Sequence, residues 1–264
     1  MDELAREFPS REALVDYVAG LCPRLDDHRA SEIAGGESAA RERLQAIEPK
    51  RYGRTRNFLD GAVTGLSPYI RHGILTLDEV RNEALGRCER PAQIEKFIQE
   101  LAWRDYWQRV YRRHPERIWQ DVEDYKTGFL ADEYTDELPA DIAAGETGVA
   151  CIDQFIATLL TSGYLHNHAR MYLASYVVHW RRVRWQAGAR WFLHHLLDGD
   201  PASNNLSWQW VASTFANKPY IFNLDNLRKY ASDDINVASA DNAEIDASYD
   251  ELTRRLFPRL GKSS

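Results

Sequence analysis

An all-α fold is what this sequence predicts, and three observations carry the prediction. Apolar residues recur at helical spacing through long segments, helix-start signals stand at Thr76–Glu79 and Ser248–Glu251, and almost no stretch shows the period-two alternation of a half-buried strand. The 264 residues suffice for one large domain whose core takes in whole aromatic side chains. No run reaches about eighteen apolar residues, and the acidic start MDELAREFPSREAL lacks the apolar run of a signal peptide. A soluble, cytoplasmic protein with no membrane partner is therefore expected.

Taken in order, residues 1–50 read as two short amphipathic helices, Ser10 capping the first and Gly35-Gly36 breaking the chain before the second. They form an N-terminal helical extension packed on the domain. From residue 51 to 230 aromatic density rises. Thr76-Leu77-Asp78-Glu79 is a capping box opening one helix, another runs from about Gln93 to Tyr111, and apolar-periodic segments cover about 151–160, 165–182 and 187–197. Residues 231–264 form a polar tail: ASDDINVASADNAEIDAS suits an exposed or partly disordered connection, and a last helix starts at Ser248 with Glu251 completing a capping box.

Charge and cysteine content exclude some functions. Residues 1–50 carry 11 acidic and 7 basic side chains and residues 231–264 carry 7 and 4, leaving 22 of each between, so the net charge of -7 belongs to the ends. A neutral middle can still present a basic face, and Arg109, Arg112, Arg113 and Arg181, Arg182, Arg184 are either phosphate contacts or solvated helix flanks. Cys22, Cys88 and Cys151 make no metal-ligand spacing and cannot hold a four-cysteine cluster, so they read as buried free thiols.

Three segments carry chemistry. Glu100, Trp103, Arg104 and Trp107 stand at i, i+3, i+4, i+7, which puts a carboxylate, a guanidinium and two indoles on one helical face. Such a mixture is either an ion pair tying helices together or the wall of a pocket with aromatic faces. In GYLHNHARM, Asn167, Arg170, Met171, Ala174 and Val178 share one stripe, whereas His166 and His168, two apart, point away from each other and make no metal pair. In DGDPASNNLSWQW two acids and two amides crowd a Gly/Pro turn ahead of two tryptophans. Eight tryptophans, most of them between residues 103 and 210, suggest stacking on a large flat ligand.

GLSPYIRHGILT, QELAWRDYW, GYLHNHARM and DGDPASNNLSWQW, in this order, resemble the FAD-binding domain of the photolyase/cryptochrome family, from about Tyr52 to Tyr230. The resemblance implies a helical bundle holding FAD at the bottom of a hole that admits a flipped base. By position it implies that Tyr52 and the loop Val63, Thr64, Gly65, Leu66 and Ser67 contact the FAD phosphates and ribitol. Phe97 stands where a flavin-site tryptophan is usual, Arg170 and Asp198 clamp the flavin edge, and Asp200, with Gly199 between the acids, lies near flavin and adenine. Relatives more often show Thr-Ser-Arg-Leu-Ser in the loop, so Val63 and Gly65 remove a hydroxyl and a cation.

Asn204 matches the position facing flavin N5, where an amide is the photolyase habit. The same matching gives Glu100, Arg56, Trp103, Arg104, Trp107, Asn167, His168 and Met171 as contacts to damaged DNA and Lys229 as a phosphate contact. Trp208 and Trp185 form the inner part of a three-tryptophan electron chain, and Ile142 occupies the place of the outer one. The resemblance implies light-driven electron transfer from reduced FAD to a cyclobutane pyrimidine dimer, with a blue-light sensor as the alternative. It also implies that the family's N-terminal antenna domain is missing, so that any antenna pigment or signalling partner is a separate chain.

Overall fold

Each helix start that the sequence signals forms around its signalling side chain. Ser10 Oγ accepts from the Ala13 amide at 3.2 Å, Thr76 Oγ1 from Glu79 at 3.1 Å, and Ser248 Oγ from Glu251 at 3.2 Å. Each satisfies an amide that the helix itself leaves unpaired, a contribution of about 1 kcal/mol. Glu79 also accepts from the Thr76 amide at 2.8 Å, completing a capping box, whereas at Ser248 only the first half of the box is made.

The computed structural model describes residues 4–22 and 30–260. They fall into two compact units, Met1–Ala34 and Gly35–Ser264. The first contains helix α1, Arg11–Leu21, and a Phe8–Tyr17 ring contact at 5.1 Å. The second contains α2 Glu37–Gln45, α3 Pro49–Thr55, α4 Ser67–Arg71, α5 Leu77–Gly86, α6 Glu95–Arg113, α7 Ala140–Ala144 and α8 Ala150–Ser162. Then come α9 Asn167–Ser175, α10 Trp185–His195, α11 Pro201–Ala212, α12 Leu224–Tyr230 and α13 Tyr249–Leu256. Among the described residues no strand forms; Thr135 and Val183 make one isolated parallel bridge.

The boundary expected at residue 50 falls instead between Ala34 and Gly35. The reason is packing: Ala40, Leu44 and Ile47 are buried in one apolar cluster with Leu66, Tyr69, Val80 and Phe97, which makes α2 a wall of the larger unit. Segment 165–182 also differs from a continuous helix. A π-helical turn, Tyr176–Trp180, follows α9, and Ala174 before it and Val178 within it are both buried in the main core.

The main core gathers α8, α9, α10 and α11 around buried aromatics, with Tyr172 at 4.6 Å from Phe222 and 6.2 Å from Phe155. Each such ring removed from water contributes roughly 1.5–3 kcal/mol. Helix α11 is missing from the sequence reading, which took its first residues for a turn. Asp200 caps it by accepting from Ser203 at 2.9 Å, and Pro201 takes the first helical position, where its missing N–H costs nothing.

The acidic tail is mostly exposed, as expected, but two of its side chains, Asn242 and Ile245, anchor it to the core. Asn242 is fully buried, its Oδ1 accepting from the Cys151 amide at 3.0 Å and its Nδ2 donating to the Ala238 and Asn236 carbonyls. Ile245, Leu252, Leu256 and Phe257 are buried beside it. Arg182, at φ 51°, donates to the Leu256 carbonyl and lies 3.9 Å from the Phe129 ring, whose neighbourhood Arg259 shares at 4.3 Å. All three cysteines are free, but only Cys151 is buried; Cys88 is half-buried and Cys22 exposed. No described helix is long and apolar enough to cross a membrane, and no metal-binding group of three or more side chains forms among the described residues.

Candidate functional site

The turn between α10 and α11 meets the start of α9 at a buried ion pair. Arg170 Nη2 donates to Asp198 Oδ2 at 2.8 Å while its Nε donates to the Leu165 carbonyl at 2.7 Å, and the guanidinium lies 5.3 Å from the Tyr164 ring. Asp198 is 5% exposed, and its Oδ1 is buried with no protein partner. Asp200 splits its oxygens between the α11 cap and Gln108 Nε2, at 2.7 Å. Gly199 contributes its carbonyl, which accepts from Arg71 Nε at 2.6 Å.

One turn into α11, Asn204 Nδ2 donates to the Ala189 carbonyl at 3.1 Å and to Asn205 Oδ1 at 2.9 Å. The amide is thereby oriented, and its oxygen accepts no hydrogen bond among the described residues. Trp208, one turn further on, is 2% exposed; its Nε1 is likewise buried and unpartnered, as is Ser203 Oγ. Buried polar atoms are nearly always satisfied, so unsatisfied atoms at Asp198, Ser203 and Trp208 on one turn and helix fit a ligand with polar edges. This donor and acceptor set suits FAD.

The indole of Trp208 rests on Gly188 of α10, where a Cβ would collide with the ring, and stands edge-on to Phe192 at 4.9 Å. Trp185 lies one turn before Gly188 on the same face of α10. It is fully buried, donates from Nε1 to Asp121 at 2.6 Å, and stacks on Trp119 with centroids 6.4 Å apart and planes 8° from parallel. Trp119 is 38% exposed, with Arg190 over its ring at 4.9 Å. The segment bearing Trp119 and Asp121 is fixed from α11: Asn205 Nδ2 donates to the Ile118 carbonyl at 2.7 Å, and Gln209 donates to Arg117 at 2.6 Å and accepts from Val122 at 3.1 Å. Ile142 is fully buried in the core, far from a surface position.

The loop expected to meet phosphate, Val63 to Ser67, is anchored to α3 by the Ala62 amide donating to Thr55 Oγ1 at 3.0 Å. Gly65 takes φ +61°, and a Cβ there would collide with the Arg43 guanidinium, which reaches over from α2. Leu66 is buried, and the Leu66 amide donates to Thr64 Oγ1 at 3.3 Å. Tyr52 packs edge-on against buried Phe97 at 5.1 Å, and burial, reinforced by the nearby Glu100 charge, holds its phenol well above the usual range.

Along α6 the predicted face exists. Glu100 forms ion pairs with Lys96 at 2.9 Å and with Arg56 at 3.5 Å. Trp103, 42% exposed, stacks on Trp107 at 5.2 Å, and Trp107 in turn leans on Phe215. Arg104 has no ion-pair partner among the described residues. Both readings of this face are thus partly realised, an ion pair between α3 and α6 beside an open aromatic wall.

At the start of α9, exposed Asn167 donates from Nδ2 to Met171 Sδ at 3.7 Å. His168 is buried, with Nδ1 2.6 Å from the Asn57 carbonyl and its ring against Tyr172 and Tyr230. His166 precedes the helix, and burial first, then neighbouring cationic groups, bring its pKa down to about 4. Lys229 is exposed, its ammonium 5.0 Å from the Tyr230 ring. Arg43, Trp119 and Asp121 lie outside the sequence-predicted set; the tryptophan count included Trp119, but no spacing tied it to Trp185.

The family model of the FAD-binding domain of DNA photolyase matches residues 97–235. A deoxyribodipyrimidine photo-lyase of Streptomyces griseus is 34% identical over 75% of this chain and 42% of its own length. A cryptochrome DASH of Ostreococcus tauri is 29% identical over 96% of this chain and 50% of its own length, so the chain spans about half, or less, of these relatives. In fold, the crystal structure of a class III photolyase from Agrobacterium tumefaciens superposes with a TM-score of 0.64 at 24% identity, covering 96% of this chain and 49% of that one. With the matched model spanning more than half of its residues, this chain belongs to the photolyase/cryptochrome family, as an all-helical FAD-binding domain whose cofactor is FAD.

Proposed function

We propose that this protein repairs cyclobutane pyrimidine dimers in DNA with light. The observation that carries the reading is the open wall on α6: exposed Trp103 stacked on Trp107, beside Glu100 held by Arg56 and Lys96. When bound, reduced FAD would supply light-driven one-electron chemistry for reopening the two cyclobutane bonds.

The chain's own residues supply position and electrostatics. Tyr52, Phe97, Thr64, Ser67, Arg170, Asp198 and Asp200 would hold FAD, and Asn204, its amide oriented by Ala189 and Asn205, would tune its redox state. Trp103 packs on the flipped dimer, as aromatic faces do on unstacked bases. Glu100 hydrogen-bonds the dimer, Asn167, His168 and Met171 line its other side, and Arg56, Arg104 and Lys229 meet the strand phosphates. Trp208 and Trp185 carry electrons inward to reload the site. Trp119, stacked on Trp185 and exposed, takes the outer position that buried Ile142 cannot.

The test is loss of thymine dimers from an oligonucleotide under blue light, with reduced, FAD-loaded protein. Dimer loss that depends on light and on Glu100 is the expected result; none at all removes the proposal. A sensor without repair activity is the second reading, favoured by the match to a cryptochrome across 96% of this chain. Light-dependent change in amide-exchange protection, with no dimer loss, would establish it instead.

A further inference from the structure

Beside the loop of residues 63–67 stands a cation that no described residue neutralises. Arg41, two residues earlier on α2, is paired with Glu37 and Glu79, but the Arg43 guanidinium makes no hydrogen bond or ion pair among the described residues. Its guanidinium lies against Gly65, in the space that any side chain at that position would fill. Arg43 is exposed, and an unpaired guanidinium beside this loop suits an anion, for which its planar fork of donors is shaped.

The groups around it are donors as well. The amides of Thr64 and Gly65 give no hydrogen bond to any described residue. Gly65 at φ +61° is followed by Leu66 at φ -84°, ψ -12°, a reversal of hand of the kind that builds anion-binding concavities, although the Leu66 amide is itself given to Thr64 Oγ1. The Tyr164 hydroxyl meets Ser67 and senses the charge of Arg43. The buried acid of the site, Asp198, is already engaged by Arg170 at 2.8 Å. Of the loop's amides, that of Leu66 is taken by Thr64 Oγ1, and those of Thr64 and Gly65 are left to a ligand.

FAD brings one group of matching chemistry, its diphosphate. We infer that Arg43 binds the FAD diphosphate, with α2 supplying across space the positive charge that Gly65 leaves out of the loop. Gly65 has a double use in this arrangement: it takes the left-handed conformation and leaves room for the guanidinium. The inference rests on FAD occupying the site between this loop and the Arg170–Asp198 pair.

The test compares two flavins on the full-length apoprotein by fluorescence titration, FAD with its diphosphate and riboflavin without one. Arg43→Gln should weaken FAD binding by roughly ten- to a hundredfold, the range for hydrogen bonds to a charged group, and leave riboflavin binding and the apoprotein melting temperature unchanged. Arg43→Lys should recover part of the loss, and the salt dependence of FAD binding should be shallower in Arg43→Gln than in the wild type. Unchanged FAD affinity, or equal losses for FAD and riboflavin, would overturn the assignment. Binding of neither flavin by the wild type would remove the cofactor site itself, a failure distinct from that of Arg43.

Discussion

Trp119 covers Trp185 like a second plate, the planes 8° from parallel and the centroids 6.4 Å apart, while Asp121 accepts the Trp185 N–H at 2.6 Å. An oxidised indole in the buried position would have a carboxylate at its edge and an exposed neighbour to refill it. Trp119→Phe should therefore keep the bound-FAD spectrum but cut the rate of flavin reduction under blue light with an external thiol to a small fraction of the wild-type rate. Trp185→Phe should do the same. Ile142→Trp should not restore the Trp119→Phe variant, because that position is interior and overpacking it costs about 1–3 kcal/mol. Wild-type reduction rates in Trp119→Phe would eliminate this route.

On the α6 wall, Glu100→Ala should abolish most dimer loss while FAD stays bound. Arg104→Ala should weaken DNA binding and flatten its salt dependence. One lost phosphate contact lowers the log-log slope by roughly 0.9 on duplex and 0.7 on single-stranded DNA, which also reports the form of the substrate. An unchanged slope takes Arg104 off the binding surface.

Gly188 is where α10 admits the Trp208 ring. Gly188→Ala gains up to about 1 kcal/mol of helix propensity but meets an overpacking cost of about 1–3 kcal/mol. The second effect wins, so the melting temperature should fall by several degrees, at roughly 2–4 °C per kcal/mol for a chain of this size. A rise in melting temperature would show that Trp208 has room to move.

Acid should destabilise the protein through His179. The ring is fully buried, Nε2 donates to the Val211 carbonyl at 2.9 Å, Nδ1 has no partner, and burial lowers its pKa to about 4. A folded-state pKa below the unfolded value of 6.5 means that the unfolded chain takes up the proton first. Stability is complete above about pH 6.5, declines as pH falls toward 4, and loses roughly 3 kcal/mol in all from this group. His166, also lowered to about 4, acts in the same direction. His179→Gln should flatten the change in melting temperature between pH 7.5 and pH 5, and an unaltered pH profile would count against this origin.

How much of this was legible in the chain depended on whether the signal was local. Ser10, Thr76 and Ser248 announced their helices because a cap and its amide are three residues apart, and the α6 face followed from spacing alone. Asp200-Pro201 was equally local, yet the same residue types start turns and helices, and the turn reading hid α11. The anchors of the tail were hidden for another reason: Ile245, Leu252 and Phe257 are isolated apolar residues in an acidic stretch, yet each is buried. Arg43 beside Gly65 and Trp119 on Trp185 are likewise meetings across the fold. At Gly65 the sequence showed an absent cation, and only packing showed which helix carried one to that place.

The unpartnered atoms at Asp198, Ser203 and Trp208 tie the ligand to the fold itself. Each buried polar group left without a partner costs the empty protein about 1–3 kcal/mol, a cost that a bound ligand making those bonds removes. Ligand-free and ligand-bound chains are then two points on one folding equilibrium, separated by mass action. With FAD at a hundred times its dissociation constant the native state gains about 2.7 kcal/mol, so the melting temperature of this protein becomes a gauge of free FAD concentration.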